Sequence, residues 1–314
     1  MDNTEPLIKT STCSIGCVIL TRQAKHHLPR CLQFLVQSPL KPRILVVDSS
    51  STDGTVDVAQ RLGAETLIIP QNDFNHGTTR ELARKHLGTD IVCMFTQDAY
   101  LADKKALAHL VAPIIENRAS ITYARQIPHE GADFFEAFAR SYNYPSTSHI
   151  RGIDDVQNYG VYTFFCSDSC AAYSSRALEE IGGFDEVLLG EDTVATAKLL
   201  RQGHKIAYVA EATVKHSHRY SLMEEFRRHF DTGLARVGYA DLLHCGQGDS
   251  QRGLGYAKLM LGELAKKSPH LLPYACAHLL SKWTGYQIGR RSMRAPTWVK
   301  QALSSQKFYW KNRR

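Results

Sequence analysis

Short apolar runs bounded by polar turns alternate with helical patterns through the first third of the chain. Ile15 to Thr21 predicts a strand, Lys25 to Gln37 a helix, and Arg43 to Val47 a second strand that ends in Asp48. Asp53 to Leu62 predicts a helix and Ala64 to Ile69 a third strand. Thr78 to Leu87 follows as a helix, Asp90 to Thr96 as a fourth strand, and Asp103 to Asn117 as another helix. Strand–helix alternation with short turns predicts an α/β fold, a mostly parallel sheet with helices on both faces. Ligands of such sheets bind beyond the carboxyl ends of the strands. Polar residues gather there: Thr21, Asp48 to Ser51, and Thr96-Gln97-Asp98 each close a strand.

The periodicity weakens from Gln126 to Tyr159, a stretch rich in Pro, Tyr, Phe and His, where one helix is expected around Asp133 to Ser141. Val161 to Cys166 and Cys170 to Tyr173 read as strands, and Ser175 to Ile181 as a helix before the turn Gly182-Gly183-Phe184. Asp192 to Gln202 fits a helix stopped at Gly203. Ile206 to Val209 and Thr213 to Lys215 read as strands. From Ser221 the pattern is helical, interrupted around Gly246 to Gly255 and by Pro269, Pro273 and Pro296. The expected organisation is a polar tail over 1–14, a catalytic domain over 15–235, and a basic, mainly helical region over 236–314.

Composition narrows the class. Of 314 residues, 43% are hydrophobic, enough for a sizeable core and against global disorder. No apolar run approaches the roughly 18 residues of a membrane span. Met1 to Thr12 is polar and mixed in charge, unlike a signal peptide. The eight cysteines form no CxxC pair, and no partner pattern completes a zinc site around Cys13/Cys17 or Cys166/Cys170. Reduced cytoplasmic thiols, several buried in strands, are expected. The net charge of +7 is uneven: from Arg252 onward thirteen Lys or Arg face one Glu, leaving the rest of the chain about −5. No RNA- or DNA-binding motif accompanies the basic tail, which argues against nucleic acid.

The candidate chemistry rests on carboxylates. There is no GxGxxG after the first strand and no GxxxxGK[ST] anywhere, so a bound nucleotide is not held by glycine loops. Asp48 could accept the imide N–H of uracil or thymine; a turn and cap role is the plain alternative. Asp98, at the end of the fourth strand, has the oxygen chemistry of a Mg²⁺ or Mn²⁺ ligand beside a diphosphate. Glu191 and Asp192 open a helix, where the macrodipole alone favours acids. Asp192 could also serve as a general base. His216 and His218 alternate after a strand, so both imidazoles could face one site as metal ligand or phosphate contact. Asn75 to Arg80 combines a turn, a helix start and an arginine. Its main-chain N–H groups could meet an anion, and Arg80 could hold base or phosphate.

The order of these segments carries a resemblance. Asp48-Ser49-Ser50-Ser51-Thr52-Asp53-Gly54-Thr55, Thr96-Gln97-Asp98, Gly182-Gly183-Phe184-Asp185-Glu186 and Glu191-Asp192 resemble glycosyltransferase family 2, inverting enzymes of the GT-A fold. The segments 73–80, Thr96-Gln97-Asp98-Ala99, Arg125-Gln126-Ile127-Pro128, Tyr142-Asn143-Tyr144-Pro145 and His216-Ser217-His218-Arg219-Tyr220 look like the bacterial rhamnosyltransferase subgroup. That group builds lipopolysaccharide and other surface polysaccharides from dTDP-L-rhamnose. The match runs from about residue 15 to 235, roughly seventy per cent of the chain.

The resemblance implies a GT-A domain with a C-terminal helical extension, and a donor site of Thr21, Asp48, Ser50, His76, Arg80, Thr96, Gln97, Asp98 and His216. Asp98 and His216 would hold Mg²⁺ or Mn²⁺. Thr96 stands where the family's Asp-x-Asp motif usually has its first Asp. Asp192 would be the base that activates a saccharide hydroxyl. Glu191, Gly183, Phe184 and Arg125 would lie on the acceptor side, and Arg227 and Arg228 would close over the donor. Trp283, Tyr286, Trp298, Tyr309 and Trp310, with nearby cations, suit a membrane surface, where a lipid-carried acceptor would be met. An ordinary helical subdomain or a homodimer contact fits the same residues. The expected location is the cytoplasm, peripheral on the inner face of the cytoplasmic membrane. Two other readings stay open: another donor such as a UDP- or GDP-sugar, and a non-catalytic sugar-nucleotide-binding protein.

Overall fold

A computed structural model describes residues 13–244 and 249–311. In chain order the first elements are β1 (Ile15–Thr21), α1 (Leu28–Val36), β2 (Arg43–Asp48), α2 (Thr55–Arg61) and β3 (Glu65–Ile68). Next come α3 (His76–Leu87), β4 (Ile91–Thr96), β5 (Tyr100–Leu101), α4 (Ala106–Ile115) and β6 (Ile121–Ile127). They are followed by α5 (Phe134–Asn143), β7 (His149–Arg151), α6 (Val156–Tyr159), β8 (Cys170–Ser174), α7 (Ser175–Glu180), α8 (Glu191–Arg201) and β9 (Ile206–Lys215). Five helices close the chain: α9 (Leu222–Gly238), α10 (Asp249–Lys267), α11 (Leu272–Arg291), α12 (Thr297–Leu303) and α13 (Lys307–Lys311).

The strands form one sheet in the order β3-β2-β1-β4-β8-β6-β9-β5, with β7 also on β9. The half from β3 to β4 is parallel. β8 runs antiparallel to both β4 and β6, while β6 and β9 are parallel. The sheet is therefore mixed rather than mostly parallel. Both faces are buried, because successive side chains alternate. Cys17, Ile19, Val46, Cys93 and Phe95 enter one core, and Val18, Leu45, Val47, Val92 and Met94 the other. The seven described cysteines are free thiols, with Cys17, Cys93 and Cys170 buried in β1, β4 and β8; Cys245 and residues 1–12 lie outside the described residues.

The middle of the chain departs most from its sequence pattern. β6, in the heart of the sheet, went unpredicted because Arg125 and Gln126 break its apolar run. Val161 to Cys166 forms a 3-10 turn over Gly160–Phe164 instead of a strand. Fully buried Arg151 donates to the carbonyls of Tyr162 (2.8 Å) and Phe165 (2.7 Å), and its guanidinium lies 4.6 Å from the Tyr162 ring centre. Those carbonyls solvate a buried cation and are withdrawn from any ladder. The two strands read at 206–209 and 213–215 are one, β9, whose pairing with β6 slips between Ala124 and Arg125. Of the interruption expected over Gly246 to Gly255, residues 246–248 lie outside the described residues, and α10 runs from Asp249 through Gly253 and Gly255.

The terminal helices are docked, not appended loosely. Arg252 of α10 donates to Asn143 Oδ1 (2.9 Å) and lies 4.0 Å from the Tyr162 ring centre. α9 crosses α11 at backbone contact. A Cβ on Gly285 would lie 2.3 Å from Phe226 O, and one on Gly289 2.1 Å from Phe230 O. The sequence division expected at residue 235 falls inside α9. No helix among the described residues is long and apolar enough to cross a membrane.

Gly289→Ala must push α9 and α11 apart, and chemical denaturation should show a loss of about 1–3 kcal/mol. Gly262→Ala, in α10 where an added Cβ meets nothing within 4 Å, should raise stability by roughly 0.5–1 kcal/mol. Equal effects at the two sites would refute the close crossing.

Candidate active site

Asp98 and the histidines after β9 come from strands separated by β8 and β6. They meet because the chain beyond Asp98 swings across to pair on β9, with Tyr100 opposite Lys215. His216 and His218 then face Asp98. Ser217, between them, accepts from His129 N (3.1 Å). His218 Nε2 lies 3.2 Å from Asp98 Oδ2, His216 Nε2 3.6 Å from Asp98 Oδ1, and the two Nε2 atoms are 3.0 Å apart. All three ligand atoms fit within 4.8 Å, a spacing at which one ion can be shared, and this is the one such cluster among the described residues. His216 Nδ1 donates to Gln126 Oε1 (2.9 Å), and Gln126 Nε2 donates to Ser167 Oγ (2.8 Å). That chain sets the tautomer and leaves Nε2 of His216 with its lone pair toward Asp98. Burial pushes the His216 imidazolium down to about 3 and lowers His218 as well. Burial alone would raise Asp98, but the two imidazoles outweigh it and leave its carboxyl below the ordinary range. Two neutral imidazoles and a carboxylate suit a divalent cation.

A second centre is built around Arg80. α3 carries this side chain into the interior, where it is 2% exposed. Its Nη1 donates to Glu191 Oε1 (2.7 Å), and its Nε lies 3.0 Å from Asp168 Oδ2. Asp168 Oδ1 also accepts from Tyr173 OH (2.7 Å). Asp192, next to Glu191 at the start of α8, accepts from Thr193 N (2.6 Å) and from Asp168 N (3.4 Å). Two buried carboxylates thus pair with one guanidinium, and half-buried Asp192 lies beside them. Arg80 and His76 outweigh burial at Glu191 and lower it. Burial pushes Asp168 up to about 6. Burial, with the charges of Glu191 and Asp168, pushes Asp192 up to about 8. A carboxyl group tuned to the neutral range has the basicity that general-base chemistry requires.

Several expected roles are redirected by this geometry. Arg80 is committed to Asp168 and Glu191, so its charge is not offered to a base or phosphate. The N–H groups that open α3 are not free for an anion either: Asn75 Oδ1 accepts from Gly77 N (2.9 Å) and Thr78 N (3.2 Å). His76 lies beside Arg80, with His76 O accepting from Nη1 (3.1 Å). Asp48 is fully buried and accepts from Ser51 N (2.7 Å), Ser51 Oγ (2.6 Å) and Thr21 Oγ1 (2.9 Å). It holds the loop after β2 from beneath rather than presenting a carboxylate to a base. Exposed Ser50, at positive φ (59°), donates to Ile69 O (2.8 Å). Gln97 Oε1 accepts from Arg22 N (2.8 Å) and ties the end of β4 to the end of β1, next to Thr96. Gly183 and Phe184 are structural: a Cβ at Gly183 (φ 84°) would strike the Glu81 carboxylate, and Phe184 is buried edge-on against Tyr173. Arg125 keeps a buried Nε without a hydrogen-bond partner, in the field of Tyr208, and no contact joins it to Asp192 or Asp98.

Asp168 was not singled out from sequence, since its stretch gave no sign of a site, and Gln126 was quoted in the segment 125–128 without being given a role. A cavity of about 410 Å³ opens beside His218. α5, the segment 218–232 and α11 wall it, with Phe165 and Leu189 at one side. Among its lining residues, Arg228 lies with its guanidinium 4.4 Å from the Tyr220 ring centre.

Comparison with known proteins agrees with this architecture. The family model described as glycosyl transferase family 2 matches residues 17–182. The O-antigen chain rhamnosyltransferase RfbN of Salmonella typhimurium is 36% identical over 302 residues, covering 95% of this chain and 96% of the relative. The O-antigen chain rhamnosyltransferase WbaN of Salmonella anatum is 34% identical over 281 residues, 89% of each. Among solved structures, S. aureus TarS 1–349 in complex with UDP-GlcNAc superposes with a TM-score of 0.58 at 14% identity, over 90% of this chain and 91% of that one. The mannosyltransferase PcManGT from Pyrobaculum calidifontis, in complex with GDP-Man and Mn²⁺, gives 0.57 at 16% identity, over 96% and 84%. At those identities the likeness shows the fold alone, which is GT-A-like with helices added at the C-terminus. With the family model spanning more than half of the chain and two relatives matching most of its length, the chain belongs to glycosyl transferase family 2.

Proposed function

We propose that this chain transfers L-rhamnose from dTDP-L-rhamnose to a hydroxyl of a saccharide acceptor in bacterial lipopolysaccharide or surface polysaccharide synthesis, with inversion at C1. Two relatives named as O-antigen chain rhamnosyltransferases support the sugar. The observation that carries the mechanism is the unequal fate of three neighbouring carboxylates, two buried and one half-buried. Glu191 and Asp168 are paired with Arg80, which leaves Asp192 as the basic one. Asp192 takes the proton of the acceptor hydroxyl. The acceptor oxygen bonds to C1 as the bond from C1 to the diphosphate oxygen breaks, and dTDP leaves with that electron pair. A single displacement of this kind needs one base and inverts the centre. The nucleoside lies over the ends of β1 and β2, near Thr21 and Ser50, with Asp48 supporting the loop.

Asp98, His216 and His218 would hold a divalent cation, Mg²⁺ or Mn²⁺, whose charge stabilises the departing diphosphate when bound. Two imidazoles in the donor set favour Mn²⁺ over oxygen-seeking Mg²⁺. The C-terminal helices also suit a peripheral contact with the cytoplasmic face of an anionic membrane. Trp283 (61% exposed) and Trp298 (72%) stand out from α11 and α12 among exposed Arg290 and Arg291.

Asp192→Asn should lower transfer by about 10²–10⁴-fold while leaving dTDP-L-rhamnose binding intact. In a thermal-shift panel dTDP-L-rhamnose should stabilise the wild type more than UDP- or GDP-sugars. No shift with it would sink the donor assignment. The same variant should gain stability. The folded-state value of Asp192, about 8, is raised, so the folded chain keeps this proton to higher pH than the unfolded one. The stability it brings is complete below about pH 4 and is lost as pH rises through about 8. The melting advantage of Asp192→Asn over wild type should therefore widen from about pH 5 to about pH 9.

Chelation should abolish transfer, and Mn²⁺ should restore it at lower concentration than Mg²⁺. Gln126→Leu, which frees the His216 ring, should weaken Mn²⁺ activation by about 10–100-fold. Full activity in EDTA would remove the metal from the reading. Membrane contact is read by sedimentation with vesicles: binding should require phosphatidylglycerol over neutral phosphatidylcholine and fall in Trp283→Ala/Trp298→Ala. Equal binding to both vesicle types would rule it out.

A further inference from the structure

The cavity beside His218 lies on one side of the metal-binding cluster. Its walls come from α5, which follows β6, from the segment after β9, and from the C-terminal helices. None of its lining residues comes from β1, β2 or the loops that follow them, where the nucleoside is placed. The cavity therefore borders the cluster at His218 while staying clear of the strand ends proposed for the nucleoside, which leaves it open to the second substrate. A volume of about 410 Å³ falls in the range of small-ligand sites.

Its far wall is one face of α11. Tyr274, His278 and Lys282 recur at four-residue spacing and all line it. His278 is 3% exposed, with Nε2 on Glu225 Oε1 (3.1 Å). Its Nδ1 is buried with no hydrogen-bond partner, as is Nε of Arg140, which also lines the cavity. Buried polar atoms of native proteins are seldom left unpaired, so a hydroxylated ligand at this wall would complete them. Glu225 is fully committed: beside His278, Lys282 and His229 its carboxyl falls to about 2 despite burial. It thus stays an acceptor and holds the His278 tautomer with Nδ1 open. Over His278 lies the Tyr274 ring, at 25° and 6.3 Å, with Phe135 edge-on to Tyr274 at 5.1 Å. A half-exposed aromatic platform beside unpaired polar atoms matches the two surfaces of a sugar, an apolar C–H face and a rim of hydroxyls.

We infer that this cavity is the acceptor subsite and that α11, through Tyr274 and His278, reads the acceptor saccharide. The inference rests on the transferase reading above and adds to it where acceptor choice is made. α11 lies outside residues 17–182 matched by the family model. Acceptor recognition is thus placed on elements that the common sheet does not dictate.

Saturation-transfer NMR with free D-galactose, D-mannose, D-glucose and L-rhamnose tests it, with dTDP plus Mn²⁺ titrated calorimetrically on the same samples. At least one sugar should give a signal with wild type. That signal should fall about fivefold or more in Tyr274→Ala and in His278→Phe. Affinity for dTDP–Mn²⁺ should stay within about twofold in Tyr274→Ala, whose half-exposed ring leaves the fold intact. If dTDP binds wild type while the sugar signal is absent, or is unchanged in both variants, this inference alone falls. If wild type binds no dTDP, the donor reading and this inference fall together.

Discussion

Arg80 is buried with two carboxylates at hydrogen-bonding distance and a third beside them. Taking such charges out of water is expensive unless they are paired, and removing the one cation would strand the acids. The pairing draws together α3, the turn before β8 and the start of α8, segments distant in sequence. Asn75 reinforces the same junction by capping α3 and donating to Val187 O (2.8 Å) in the loop before α8. One positive charge cannot neutralise three negative ones, and the surplus is expressed at Asp192. The ion cluster that locks the fold is thus also what raises the proton affinity of Asp192, the proposed base. The proposed role of Asp192 would build in a stability–activity trade-off, because the group held under electrostatic pressure is the one whose protonation state would matter.

The other half of the site depends on a crossing. β5 is only two residues long, yet it carries the strand-end turn of Asp98 across to β9. Without that pairing, Asp98 and the two histidines would stay on opposite sides of β8 and β6. Gln126 then sets which nitrogen of His216 faces the acid. Gln126, one of the two polar residues that obscured β6 in the sequence pattern, is there because the strand ends at the site.

The C-terminal helices join this arrangement rather than hanging from it. α9 begins right after the histidine segment, and its contact with α11 is backbone against backbone at Gly285 and Gly289. The same crossing brings His278 and Lys282 against Glu225 and closes the cavity. A region that by composition alone looked like a basic membrane-facing extension therefore has two faces, an inner one lining the cavity beside His218 and an outer one carrying exposed Trp283.

The sequence by itself determined the α/β class, the strands β1 to β4 with their intervening helices, and the order of Asp98, Asp192 and His216 that resembles the family. These were legible because strand and helix periodicities are local, and because polar residues at strand ends stand out against apolar runs. Tertiary structure alone decided the contacts. Arg80 could be read as a phosphate ligand until Asp168 and Glu191 were seen against it, and Asp48 as a base contact until its oxygens were seen to be covered. Asp168 left no local signal, since one acid in a turn looks like any other. β6 and the turn at 160–164 escaped for the same reason: their conformations answer to Arg151, the cluster at His216 and the neighbouring strands. Burial, pairing and proton affinity are properties of juxtaposition, and juxtaposition across about 90 to 120 residues is set only when the chain has folded.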